Sequence, residues 1–217
     1  MEEIQQGSAE WHALRLGVFT SSEIFKLMST GKAKGADFSE IGMTYIMQKV
    51  AERLTGIPAA ELFESEDMKW GKDNEDIARQ YTAIRRGWEI MKTYFVKHPT
   101  LNYGGSGDGW AREVNAAVEI KCLKTHNHLK EVKAANSYED FKKNLPVRFW
   151  QVISDAYLRG CDTIVFVWYD PRLIGDWSLV IREFKIDPAD ITFMLSRIEL
   201  ADAEFKKQIE FFTDKAA

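Results

Sequence analysis

Gly105-Ser106-Gly107-Asp108-Gly109-Trp110, followed after a short spacer by Ala116-Ala117-Val118-Glu119-Ile120-Lys121-Cys122, is the most informative stretch in this chain of 217 residues. Its glycines mark tight backbone, and Ala116 to Cys122 reads as a strand. Residues two apart in a strand share a face. Glu119 and Lys121 therefore project together, while Ile120 and Cys122 turn toward the core. Asp108 lies eleven residues before Glu119, a separation that lets an antiparallel neighbour bring its carboxylate alongside. Two carboxylates and a backbone carbonyl, such as that of Ile120, make an all-oxygen set suited to Mg²⁺ or Mn²⁺. An ammonium at Lys121 would orient an attacking water and stabilise charge developing on a phosphate. The chemistry this set points to is metal-dependent phosphodiester hydrolysis.

The triplet Glu-x-Lys has little force alone, because it recurs at Glu131, Glu183 and Glu204. Glu131 and Glu204 fall in helical stretches, where such pairs are usually solvated surface. Glu183-Phe184-Lys185 is the real rival, since it also lies in a strand. Glu119 is favoured by its apolar flank (Ala117, Val118, Ile120) and by the glycine-rich turn that carries Asp108 just before it. His126 and His128 have a metal-like spacing without a third ligand nearby, so zinc is not expected.

Outward from this stretch, the first half reads as helical. Ser8 caps a short helix through Trp11 and Leu14, Ser21 or Ser22 caps another, and Ile41 to Leu54 has helical spacing before Gly56. A further helix spans about Trp70 to Arg86 and stops at Gly87. Trp88 to Val96 reads as a strand. Pro146 opens an amphipathic helix that ends at Gly160. Strands at Thr163 to Tyr169 and Ser178 to Ile186 follow, joined by Asp170-Pro171-Arg172, and Asp187-Pro188 opens a long final helix. This order gives an α/β (α+β) fold with a central mixed sheet flanked by helices.

Composition sets the outer bounds. Hydrophobic residues make up 45% and charged residues 29%, which suits an ordinary globular chain and excludes disordered or repetitive classes. No linker or repeat marks a boundary, so residues 1–217 are read as one domain. The acidic start and the lack of a long apolar run predict neither a secretion signal nor a membrane span. Two cysteines, Cys122 and Cys161, are too few for a disulfide framework and fit a reducing cytoplasm. Against 33 acidic residues stand 29 Lys and Arg, a net charge of -4. A protein that coats nucleic acid non-specifically is therefore excluded, and any polyanion must be held by a local site.

Six blocks in one order resemble the lambda-type (YqaJ-like) phage alkaline exonucleases. They are Trp11-His12-Ala13-Leu14-Arg15-Leu16-Gly17-Val18-Phe19-Thr20-Ser21-Ser22-Glu23, Trp70-Gly71-Lys72-Asp73-Asn74-Glu75, Ser106-Gly107-Asp108-Gly109, Glu119-Ile120-Lys121-Cys122, Gln151 on its helix, and Trp168-Tyr169-Asp170-Pro171-Arg172. The resemblance implies a PD-(D/E)XK nuclease core. It further implies an enzyme that digests linear double-stranded DNA processively in the 5′-to-3′ direction, releases 5′-mononucleotides and leaves 3′ single-stranded tails for recombination. Two Mg²⁺ ions per site are implied, with Mn²⁺ as a substitute. The implied partners are the other subunits of a ring-shaped homotrimer and a single-strand-annealing recombinase.

By motif, Asp108 and Glu119 would bind the metal with the Ile120 carbonyl, and Lys121 would position the water. Glu75 would complete the acidic site, and Gln151 would support it. Arg15, Ser22 and Ser106 match the family's 5′-phosphate pocket, where a guanidinium and two hydroxyls suit a terminal phosphate. Met68 stands at the position of an apolar strand-parting wedge. Lys32, in Gly31-Lys32-Ala33-Lys34-Gly35, stands at that of an arginine contacting the duplex. Gly107 replaces the proline that usually precedes the aspartate, which should loosen the turn. Two alternatives stay open: a PD-(D/E)XK endonuclease of restriction or repair type, which would cut closed circles, and a catalytically silent DNA-end-binding subunit.

Overall fold

A computed structural model describes residue 4 and residues 6–59 and 65–214. Along the chain run α1 (Ala9–Arg15), β1 (Phe19–Thr20), α2 (Glu40–Thr55), α3 (Glu66–Arg86), β2 (Ile90–Met91), β3 (Val96–Lys97), β4 (Tyr103–Gly105), β5 (Gly109–Ala111) and β6 (Ala116–Lys121). Then follow α4 (Thr125–Ala134), α5 (Tyr138–Asn144), α6 (Pro146–Leu158), β7 (Thr163–Tyr169), β8 (Leu179–Lys185) and α7 (Pro188–Asp214). Among the described residues these form two compact units. One comprises the residues before 60, Tyr94–Gly105 and those from Asp187 onward; the other comprises residues 65–93 and Ser106–Ile186. No helix among the described residues is long and apolar enough to cross a membrane.

The second unit holds a five-stranded mixed sheet in the order β2-β5-β6-β7-β8. Strands β5 and β6 pair antiparallel as a hairpin, and β6 and β7 run parallel. A parallel pair needs a long crossover, which α4, α5 and α6 supply. Every residue of β7 is buried, as expected of a strand covered on both faces. On one face Val118, Ile120, Cys122, Val165 and Val167 pack with Ala78 of α3. On the other, Phe141 of α5 and Phe149 of α6 form an aromatic cluster with Phe166, Trp168 and Phe184. The sheet is thus sandwiched between helices, the α/β architecture the sequence pattern predicts.

Helix α3 begins four residues earlier than its apolar periodicity suggests. Ser65 Oγ accepts a hydrogen bond from the Met68 N–H at 3.2 Å, and Glu66 and Asp67 occupy the first turn, where acidic side chains suit the helix dipole. It ends at Gly87, whose φ of 68° is left-handed. The stretch Trp88 to Val96 is not one strand. Pairing with β5 stops at Met91, and Val96–Lys97 pairs instead with β4. Two-residue strands are too short to display an alternation.

In the first unit, β1, β4 and β3 form a small sheet in that order, and α2 packs with α7. Ser8 caps α1 through the Trp11 N–H. No side chain caps the Ser21–Leu27 segment, a 3-10 helix that follows Thr20 directly. Arg197 of α7 donates to the carbonyls of Leu27 at 2.9 Å and Ser29 at 3.4 Å, and its guanidinium lies over Phe38.

Candidate active site

The site begins with strand register. Gly109 pairs with Val118, so Asp108, one residue earlier, stands opposite Glu119, one residue later. A Cβ at Gly109 would lie 2.8 Å from Ile90 Cγ2, so any side chain there would force Ile90 of β2 to shift. Just before it, the Gly107 carbonyl accepts a hydrogen bond from Thr93 Oγ1, which fixes the turn that the missing proline leaves free. Asp108 Oδ2 accepts the Ile120 N–H at 2.7 Å. A strand residue's N–H and C=O point to the same side, so the Ile120 carbonyl also faces the Asp108 side, away from β7.

Glu119 and Lys121 share the opposite face to Val118 and Ile120. Lys121 Nζ donates to Glu119 Oε1, and Gln151 Nε2 of α6 donates to the same oxygen at 2.6 Å. Glu119 Oε2 is buried and has no hydrogen-bond partner among the described residues. From α3, Glu75 Oε1 accepts from Arg79 Nη2 at 2.6 Å. Exposure grades across the cluster: the Glu119 side chain is 1% exposed, Lys121 18% and Glu75 29%. The cluster therefore has a closed floor and an open mouth.

Burial, reinforced by the negative charges of Asp108 and Asp155, pushes the Glu119 carboxyl up to about 8. Burial and Asp108 push Glu75 up to about 7 despite the nearby cations Arg79 and Lys121. Burial works against the Lys121 charge, but Glu119 and Asp108 outweigh it and hold its pKa above the ordinary lysine value. Burial pushes the Cys122 thiol up to about 12, so it is no nucleophile.

These residues fit a hard divalent cation. The carboxylates repel one another without a counter-ion, one buried oxygen lacks a donor, and the donors are oxygen throughout. Among the described residues no three acidic, His or Cys side chains already form a ready cage. Instead Lys121 and Gln151 engage Glu119, Arg79 engages Glu75, and the Ile120 N–H engages Asp108.

The rival triplet is surface chemistry. Glu183 pairs with Arg86 at 2.8 Å, and Lys185, whose side chain is 75% exposed, pairs with Asp162. Glu131 accepts from Arg148 and from Trp168 Nε1. Glu204 pairs with Lys207. His128 is buried and His126 exposed.

Arg15 and Ser22 lie in the first unit. The Arg15 guanidinium stacks over Trp11 at 4.0 Å, and the exposed Ser22 hydroxyl lies 3.4 Å from Thr20 Oγ1. Lys32 is exposed there in the Gly31–Ala36 turn. Ser106 lies in the second unit two residues before Asp108, half-buried. Met68 is 53% exposed on the first turn of α3. Two residues of the cluster escaped the sequence reading, Arg79 and Asp155. Each has a signal in hindsight. Arg79 is four residues after Glu75 and Asp155 four after Gln151, and such positions are neighbours on a helix face.

An aspartate at the mouth of one strand and Glu-x-Lys on the next, on a mixed sheet between helices, define a PD-(D/E)XK nuclease core. The model of the YqaJ-like viral recombinase domain family matches residues 10–161. The chain belongs to that family. Among solved structures it is similar to LHK-Exo, an alkaline exonuclease from Laribacter hongkongensis, with 26% identity, a TM-score of 0.80 and coverage of 96% of this chain and 98% of that one. The complex of LHK-Exo with dAMP gives 27% identity, a TM-score of 0.81 and the same coverage. A phage-related exonuclease from Haemophilus somnus 129PT shares the fold at 14% identity and a TM-score of 0.69, covering 90% of this chain and 96% of that one. No curated protein matches the chain.

Proposed function

We propose that this chain is a Mg²⁺-dependent deoxyribonuclease that digests linear double-stranded DNA 5′ to 3′, releases 5′-mononucleotides and leaves 3′ tails for recombination by strand annealing. The observation that carries this reading is the β5–β6 register, which sets Asp108 against Glu119 with Lys121 on the same face. Family membership and the likeness to LHK-Exo support exonuclease chemistry over other uses of the core.

Asp108, Glu119 and the Ile120 carbonyl would hold the metal, with Glu75 completing the acidic site; two Mg²⁺ ions are proposed, with Mn²⁺ as a substitute. When bound, the metal supplies Lewis-acid polarisation of the phosphate and charge stabilisation for attacking and leaving oxygens. Lys121 stays protonated, so it acts as a hydrogen-bond donor that orients the water rather than as a base. Gln151 keeps Glu119 in its rotamer. Arg15, Ser22 and Ser106 are proposed to grip the 5′-phosphate. Met68 is proposed as the wedge at the strand fork and Lys32 as a backbone contact. The chain is further proposed to act in the cytoplasm as a homotrimer alongside an annealing recombinase. The two units are built from interleaved chain segments, which supports reading residues 1–217 as one exonuclease domain.

The test is a linear duplex with 5′-phosphate on one end and 5′-hydroxyl on the other, incubated with Mg²⁺ or EDTA. Mononucleotides released from the phosphorylated end, and none with EDTA, are the expected outcome. Internal fragments, or cleavage of a closed circle, would establish the endonuclease instead. No cleavage with Mg²⁺ or Mn²⁺ would establish the end-binding subunit.

A further inference from the structure

Arg79 is only 6% exposed, and a guanidinium that deep is stable only when its donors meet acceptors. It meets them in three directions. Nη2 donates to Glu75 Oε1 at 2.6 Å, Nη1 to the Asp76 carboxylate, and Nε to the Asp108 main-chain carbonyl at 3.0 Å. Asp76 is itself held by Lys92 Nζ at 2.7 Å. One side chain on α3 therefore bonds two carboxylates on its own helix and the backbone of the aspartate that precedes β5. Glu75 and Asp108 are like charges, and Arg79 is bonded to both residues. A cation bonded to the Glu75 side chain and to the Asp108 main chain ties the helix to the start of β5.

We propose that Arg79 is the positioning residue of the cation site: by bonding the Glu75 side chain and the Asp108 carbonyl together, with Asp76 and Lys92 bracing it, it sets the separation of the two carboxylates. The inference rests on the nuclease reading above. Arg79 would act through Glu75 and Asp108, to which its donors are committed, rather than by direct contact with the cation. Lysine cannot replace it, because an ammonium offers its donors from a single atom, whereas the three acceptors surround a planar fork.

The test is titration with Mn²⁺ alone, followed by the paramagnetic signal of the free ion, for wild type, Arg79→Lys, Arg79→Ala and Asp76→Asn. Thermal melts and DNA cleavage are recorded in parallel. Arg79→Lys is expected to fold and to bind Mn²⁺ at least about tenfold more weakly, the loss typical when a partner of a metal ligand is removed. Its cleavage should need correspondingly more Mg²⁺ and recover toward wild type at saturation. Added guanidinium, but not methylammonium, should restore Mn²⁺ affinity to Arg79→Ala. Asp76→Asn should show a smaller loss in the same direction. Wild-type Mn²⁺ affinity in Arg79→Lys overturns the proposal while leaving the nuclease reading intact. If the Arg79 variants do not fold, unchanged affinity in Asp76→Asn overturns it. A wild-type protein that neither binds Mn²⁺ nor cleaves DNA removes both readings together.

Discussion

Glu119 shows at the scale of one residue how the site trades stability for chemistry. Its carboxyl titrates near 8 in the fold against an ordinary 4.5. Below 4.5 both folded and unfolded chains keep the proton. Above it the unfolded chain ionises while the folded one does not, so stability falls as pH rises from about 4.5 to about 8. In EDTA, Glu119→Gln should therefore raise the melting temperature more at pH 8 than at pH 5. Added Mg²⁺ should stabilise the wild type and not the variant. An equal effect at both pH values would contradict this account of the carboxylate. Gly107 makes the opposite case. Its φ is not left-handed, and a Cβ there would meet Asp155 Cβ at an ordinary 3.5 Å. Gly107→Ala should retain activity and gain about 0.4–1 kcal/mol by narrowing the unfolded ensemble, read from urea denaturation. A loss of stability would mean that the turn needs glycine after all.

At the scale of elements, the β5–β6 hairpin and its neighbour β2 would place the proposed chemistry. Gly109→Val would drive a side chain into Ile90. It should cost about 1–3 kcal/mol, as overpacking does, and should lower cleavage by displacing Asp108. Full activity in that variant would show that the register does not position the aspartate. Lys185→Ala, on a solvated strand edge, should cleave DNA at the wild-type rate. The pairing of Asp108 with Glu119 and Lys121 was legible because a six-residue strand displays its alternation and a glycine-rich turn announces the hairpin. Glu75 was legible only through the family's motif, since a lone glutamate on a polar helix carries no signal. The spacing of Arg79 from Glu75 was visible in the sequence but its role was not, because that depends on the Asp108 carbonyl, twenty-nine residues distant in the chain. The small sheet of β1, β4 and β3 was missed for a related reason. Strands of two or three residues hold too few positions for any period, and tertiary pairing alone defines them.

At the scale of the whole molecule, a net charge of -4 gives no global attraction to DNA, so affinity for it requires locally placed cations or enclosure. The proposed homotrimer would answer that requirement by closing around the duplex. Light scattering should return a mass about three times the 25.0 kDa of one chain; a monomer at working concentration would contradict the ring. The most direct test of the central claim is single-turnover digestion of a linear duplex with Mg²⁺ by Lys121→Ala, with DNA-end binding measured on the same sample. The expected result is cleavage reduced by roughly a hundredfold or more, the scale of losing a positioned donor to a reacting group, with end binding retained. Wild-type cleavage by Lys121→Ala would contradict the account and move the chemistry away from β6.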